Sequence, residues 1–426
     1  MAGAETLPGA QRPPPGPRLG PRPLPLHLMA ASLVWTSSRA AWPLLKSGSL
    51  PWRPELRAAA AALRADLASI DPDAFDRAVE RQTRLRLGAL LEGILAYRRH
   101  PYRRAVPEVP VLWRQGTTRL LDYGVSGRAG RDGHGQAAAP VLVVPSLINR
   151  AYVLDLDRRT SLLRWLAGKG MRPFLVDWDR PGPAERRFTL TDYIAGRLEA
   201  ALDAVIEATD KRPLVLGYCM GGLLALALSL RRRDDLSGLA LLATPWDFHA
   251  EQGALGAAAV APVWPLLESL GELPVDVIQA LFASLDPQLA LRKFVAFARL
   301  DPASEKAAAF VALEDWVNDG VPLAAPVARE CLSGWYGANT PATGRWRIAG
   351  RPVEPSRLDL PCLCLIPSQD RIVPPASARA LAAAIPGAES MAPAAGHIGM
   401  VAGSQARKRV WEPLVIWLKA QAPDAG

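Results

Sequence analysis

Cysteine is scarce in this chain: Cys219, Cys331, Cys362 and Cys364 are the four among 426 residues. So few exclude a disulfide framework, and no pair or Cys/His group has zinc-ligand spacing, so a reducing compartment and a metal-free protein are expected. An excess of one charge is also lacking. Fifty Lys+Arg against 41 Asp+Glu leave +9, and the basic clusters Arg186-Arg187 and Arg231-Arg232-Arg233 are interspersed with acids, which argues against a nucleic-acid partner. A transmembrane run is missing too. Pro213 to Leu230 carries no charge for 18 positions, yet Gly217 to Gly222 splits it into a short buried strand, a turn and a buried helix start. Leu28 to Trp35 is too short to span a bilayer, and Glu5 and Pro13-Pro14-Pro15 before it speak against a secretory signal, so the protein is expected in the cytoplasm.

What is present is a globular composition, 50% hydrophobic, with length enough for one large domain or two. Met1 to Pro25, rich in Pro, Gly and Arg without apolar periodicity, reads as a flexible tail, and the tail region is drawn as 1–50. Over 51–110 the apolar spacing of Leu63, Leu67, Phe75, Val79, Leu85, Leu87, Leu91 and Leu95, broken at Asp71-Pro72-Asp73, predicts two amphipathic helices. From Thr118 short apolar strands (Val141–Val144, Phe174–Val176, Leu214–Leu216, Leu239–Leu242) alternate with helical segments. That alternation predicts an α/β fold with a mostly parallel sheet, in which ligands sit beyond the strand C-termini. It stops after Asp247 and resumes at Cys362 to Ile366, far beyond an ordinary connection, so 250–357 reads as a helical cap inserted after the sixth strand. The catalytic domain is then 111–249 with 358–426.

Gly217-Tyr218-Cys219-Met220-Gly221-Gly222 lies at a strand-to-helix turn and follows the G-x-S-x-G nucleophile-elbow pattern with Cys for Ser. Glycines are needed there because a Cβ would strike the neighbouring strand or helix. A helix N-terminus favours a thiolate, and the Met220 N–H can receive an oxyanion. In the elbow fold the acid and the histidine follow in chain order. Asp370, after the strand Cys362–Ile366, and His397, in Gly396-His397-Ile398-Gly399, meet that order, with Asp247 as a rival acid. The second oxyanion donor is expected from Leu147 or Ile148, with Asn149 fixing the loop. Cys362 and Cys364, two apart on a strand, are expected to pack on one face. Arg150, Arg180, Arg186 and Arg187 follow strands at the expected site mouth and suit an anionic small substrate such as a phosphorylated thioester.

The strings Val144 to Leu156, Val176 to Trp178, Thr189 to Ile194, Gly217 to Gly222, Thr244 to Phe248, Asp370 to Pro375 and Gly396 to Met400 resemble the polyhydroxyalkanoate synthases. They are nearest the short class that works with a second, non-catalytic subunit. The resemblance runs from Val111 to about Leu418. It implies an α/β-hydrolase fold with a helical cap, a triad of Cys219, His397 and Asp370, and no cofactor. It further implies polymerisation of (R)-3-hydroxyacyl-CoA on polyester granules, with the non-catalytic subunit and a second copy of the chain as partners. The family commonly has His directly after the acid; here Arg371 stands there. A Cys-dependent hydrolase of the same fold (depolymerase, esterase or thioesterase) is the alternative reading.

Overall fold

Strands of β-branched and leucine residues bounded by turn residues build the centre of the computed structural model, which describes residues 17–124, 138–250 and 264–422. The strands are β1 (Val111–Gln115), β2 (Thr118–Asp122), β3 (Ala139–Val144), β4 (Met171–Asp177), β5 (Leu214–Tyr218), β6 (Gly238–Leu242), β7 (Cys362–Leu365) and β8 (Glu389–Met391). They form one eight-stranded sheet in the order β1-β2-β4-β3-β5-β6-β7-β8. The β1–β2 hairpin and its junction with β4 are antiparallel, and every pair from β4 to β8 is parallel. The central strands β5 and β6 are buried along their whole length, as a parallel sheet covered on both faces requires.

Helices cover those faces. In the N-terminal region stand α1 (Leu24–Ser47), α2 (Arg57–Leu67) and α3 (Pro72–Arg99), the last begun by Asp71, whose carboxylate accepts from the Ala74 N–H. Between strands lie α4 (Leu162–Ala167), α5 (Glu199–Thr209) and α6 (Met220–Arg231). The segment between β6 and β7 carries α7 (Trp264–Leu270), α8 (Val275–Leu285), α9 (Leu289–Phe297), α10 (Glu305–Asn318) and α11 (Ala325–Arg329), then a π-helical turn at Glu330–Gly337. The chain closes with α12 (Pro375–Ala384), α13 (Gly399–Ala402) and α14 (Glu412–Ala420). α5, α6 and α12 pack on one sheet face with Cys362 and Cys364, while α4 and α14 pack on the other with Leu363 and Leu365, the alternation a strand imposes.

The expected tail over 1–50 is corrected at its C-terminal half, since residues 24–47 are the helix α1. Ala31, together with Leu24, Leu28 and Trp35, packs on Leu90, Ile94 and Tyr97 of α3 and on Phe294 of α9, and that burial orders the segment. Residues 1–16 of that expected tail lie outside the described residues. Among the described residues no helix is long and apolar enough to cross a membrane.

Candidate active site

β5 delivers Cys219 into the turn before α6 at φ 57°, ψ −129°, a conformation that side-chain-bearing residues rarely hold. The surroundings enforce it. A Cβ on Gly221 would stand 2.1 Å from the Val144 carbonyl oxygen and one on Gly222 1.9 Å from Thr244 Oγ1, so the helix start is pressed onto β3 and the end of β6. Elbow and post-β3 loop are thereby locked together.

The His397 loop follows β8 and the Asp370 loop follows β7, both at the sheet edge where their strands end. His397 Nδ1 is bonded to Asp370 Oδ2 at 2.7 Å, and both residues are buried. The other Asp370 oxygen accepts the amides of Ile372 at 2.8 Å and Val373 at 2.9 Å, which fixes the carboxylate toward the ring. With Nδ1 committed to Asp370, Nε2 is the nitrogen left for Cys219, whose sulfur hydrogen-bonds the imidazole. Burial alone would lower the His397 pKa. The negative charge of Cys219 and the bonds to Asp370 and Cys219 outweigh it and carry the pKa up to about 10. Tyr218 donates its hydroxyl to the His397 carbonyl at 3.1 Å, and burial beside Cys219 and Asp370 pushes its phenol well above the usual range, so it stays a donor.

Comparison with known proteins gives the family. Residues 139–403 match the alpha/beta hydrolase fold family. The chain is 30% identical over 285 residues to the poly(3-hydroxyalkanoate) polymerase subunit PhaC of Allochromatium vinosum, covering 66% of this chain and 80% of that protein. The chain belongs to the polyhydroxyalkanoate synthase family. Other relatives carrying the name poly(3-hydroxyalkanoate) polymerase subunit PhaC are 28% identical: that of Thiocystis violacea over 289 residues, 66% of this chain and 81% of that protein, and that of Synechocystis sp. over 293 residues, 66% and 77%.

In this synthase-family chain the rival acid Asp247 faces elsewhere: one of its oxygens accepts from Asn339 Nδ2 at 2.8 Å and from the His249 amide at 2.9 Å. Asn339 in turn accepts the Phe248 amide at 3.0 Å, so the pair joins the post-β6 loop to the cap. Met220 and Leu147 are buried in the cluster against which Cys219 packs. The Ile148 amide is already given to Ser146 Oγ at 3.0 Å, and Asn149 holds φ 66° with its Oδ1 buried and unpartnered. Arg150 is paired with Asp179 and lies 3.6 Å from Asp319 of the cap. Arg180 and Arg186 share Glu272, at 3.0 and 3.3 Å, while Arg187 is exposed beside them. Arg371, in place of the family's usual His, reaches out to Asp286 between α8 and α9 at 3.2 Å and so ties the acid loop to the cap.

Sequence reasoning missed Asn339, Tyr218, Trp178 and Trp316. Asn339 sits at φ 49° in Gly337-Ala338-Asn339-Thr340-Pro341, and that turn composition was a readable signal. The other three act through bonds to distant backbone carbonyls, which leave no local pattern. A further set, Trp246, Phe248, Trp335, Tyr336 and Trp346, forms an edge-to-face and stacked aromatic group over the elbow's side of the sheet. The Cys219 charge adds to burial in raising the Tyr336 phenol, which places that ring within electrostatic reach of the nucleophile.

Proposed function

We propose that this chain is an acyltransferase that polymerises (R)-3-hydroxyacyl-CoA into polyhydroxyalkanoate through a thioester on Cys219. The observation that carries the reading is the Cys219–His397–Asp370 relay at the elbow, taken with membership of the synthase family. His397 takes the thiol proton, and Cys219 Sγ adds to the thioester carbonyl of the substrate. The tetrahedral oxyanion is received by the amides of Met220 and Leu147, the Ile148 amide being engaged by Ser146. Collapse breaks the carbon–sulfur bond to CoA, which recovers the proton from His397 and departs as the free thiol. The hydroxyl of the next 3-hydroxyacyl-CoA then gives its proton to the imidazole and its oxygen to the acyl carbonyl, and Cys219 is released. The product is a chain one unit longer, still a CoA thioester, ready to reload Cys219 with loss of one CoA. Asp370 keeps His397 in the tautomer that both steps need.

The cap over the site limits water, which supports transfer over hydrolysis. Arg186 and Arg187 remain the proposed grip on the CoA phosphates; with Arg180 they outnumber Glu272, so the group keeps net positive charge. A non-catalytic subunit and attachment to polyester granules belong to the same proposal. The test is purified protein with 3-hydroxybutyryl-CoA, following CoA release, turbidity and protein mass together. Expected are CoA release with polymer and an acyl adduct on Cys219 that is lost in Cys219→Ala and kept in Cys331→Ala, Cys362→Ala and Cys364→Ala. Free 3-hydroxybutyrate without polymer would instead make the chain a Cys hydrolase of this fold.

A further inference from the structure

Two indoles bracket the loop that follows β3. Trp178 Nε1–H donates to the Pro145 carbonyl at 3.1 Å, and Trp316 Nε1–H donates to the Arg150 carbonyl at 2.7 Å. Both tryptophans are 5% exposed. They come from different parts of the molecule: Trp178 follows β4 of the sheet, whereas Trp316 sits in the last turn of cap helix α10. Between the two anchored carbonyls lie Ser146, Leu147, Ile148 and Asn149.

The shape of that short loop is imposed from outside. Asn149 stands at φ 66° and its buried Oδ1 has no partner, so the loop's own bonding does not account for the conformation, and a strained backbone persists only where neighbours over-determine it. On the C-terminal side these are Asp179, which pairs with the Arg150 guanidinium from the loop after β4, and residues of the cap. Besides the Trp316 bond, Asp319 faces the Arg150 guanidinium, and a Cβ on Gly320 would lie 3.5 Å from Asn149 Oδ1. Residues 316–320 therefore lie across residues 149–150, while the N-terminal side is fixed by Trp178 and by the contact of Gly221 with Val144 and Pro145.

We infer that Trp316 is a positioning residue for the second oxyanion donor: its bond to Arg150 holds the loop with the Leu147 amide in place, so the seating of α10 sets whether the oxyanion hole is complete. This rests on the reading above that Leu147 supplies a donor to an acyl oxyanion. An oxyanion-hole donor acts by prior placement, and a misplacement of about 1 Å costs up to roughly 10²-fold in rate. Acylation of Cys219 then proceeds fully only with the cap seated, which is also the arrangement that limits water.

Trp316→Phe keeps the ring and deletes the N–H. With 3-hydroxybutyryl-CoA, kcat for CoA release is expected to fall about tenfold or more with KM within about twofold, as for an interaction felt in the transition state. Alkylation of Cys219 by iodoacetamide, which forms no oxyanion, should keep its wild-type rate. Trp178→Phe should lower kcat similarly, and the double variant should lose less than the product of the two, because one loop is freed once. A kcat within twofold of wild type in folded Trp316→Phe, or alkylation that slows in step with kcat, overturns the inference. Should Trp316→Phe not fold, Asp319→Asn loosens the same cap contact and is judged by the same criteria, with a smaller fall expected. A nitrophenol burst from p-nitrophenyl butyrate separates the two readings. Wild type that bursts but releases no CoA sinks the polymerase reading alone, and an undiminished burst in Trp316→Phe sinks the positioning role alone.

Discussion

The imidazole of His397 carries opposing demands: burial disfavours its charge, whereas Cys219 and Asp370 favour it, and the second influence prevails, with the pKa raised to about 10. Removing the sulfur in Cys219→Ala deletes the leading upward cause and one hydrogen bond, so His397 should titrate well below its wild-type value in an NMR pH series. Linkage gives a second readout. A histidine whose folded pKa lies above its unfolded value near 6.5 contributes stability that is full below pH 6.5 and is lost as pH rises toward 10. Urea midpoints for wild type should therefore decline across that window, and those of Cys219→Ala should decline less; parallel curves would show that Cys219 does not set the titration. The acid is tested by a paired comparison. Asp370→Asn should lower kcat by an order of ~10⁴, as loss of the orienting carboxylate does in related triads. Asp247→Asn, whose partners are Asn339 and His249, should act mainly through the cap and cost far less. Equal losses would show that the relay is wrongly assigned.

At the scale of elements, one substitution has opposite signs at two places. Gly221→Ala puts a Cβ 2.1 Å from the Val144 carbonyl oxygen, a backbone atom that cannot swing aside, so the elbow must open. A loss of about 1–3 kcal/mol or more is expected from such overpacking, together with loss of acylation. Gly88→Ala, inside α3 with nothing within 4 Å, should instead stabilise by about 0.5–1 kcal/mol by removing backbone freedom from the unfolded chain. Thermal melts of the two variants check both signs. The elbow could be read from sequence because its pattern, a glycine-flanked Cys between an apolar strand and an apolar helix, lies within six consecutive residues, although the atoms that make Gly221→Ala harmful belong to Val144 and Pro145. The alternation of strands and helices and the chain order Cys219, Asp370, His397 were legible for a similar reason: each is a local pattern placed by a fold rule. α1 was not legible, because its order comes from packing on α3 and α9, the latter more than 240 residues away, and Pro43 in its interior argues locally against a helix. Ile148 was as good an oxyanion candidate as Leu147 until its amide was seen bonded to Ser146 Oγ. The joins of Asp247 to Asn339 and of Arg150 to Trp316 span 92 and 166 residues and are visible only once the chain is folded.

Across the whole molecule, the apolar cluster that joins the N-terminal region to the cap is supplemented by the ion pair of Arg18 with Asp315. Arg18, 9% exposed at its side chain, bonds Asp315 of α10 at 2.6 Å and also reaches the carbonyls of His100 and Tyr102, just past α3. Tyr97 gives its hydroxyl to the same Asp315 at 2.9 Å. Asp315 is the neighbour in sequence of Trp316, so the arm that precedes α1 and the loop after β3 are fastened to the same turn of α10, one on each side. Arg18→Ala leaves Asp315 and two carbonyls short of a charged donor, and a bond of that kind contributes about 1.5–3 kcal/mol. The loss should fall on the N-terminal region and cap, since the sheet has its own core on both faces. Amide exchange should therefore quicken in α1, around residues 100–102 and in α10, with β3, β5 and β6 as protected as in wild type. Arg18→Lys, which keeps the charge and gives up the guanidinium fork, should lie between the two. Unchanged exchange in α10 of Arg18→Ala would mean that the arm merely rests on the cap, and that the cap's seat over the loop after β3 is fixed by its own helices alone.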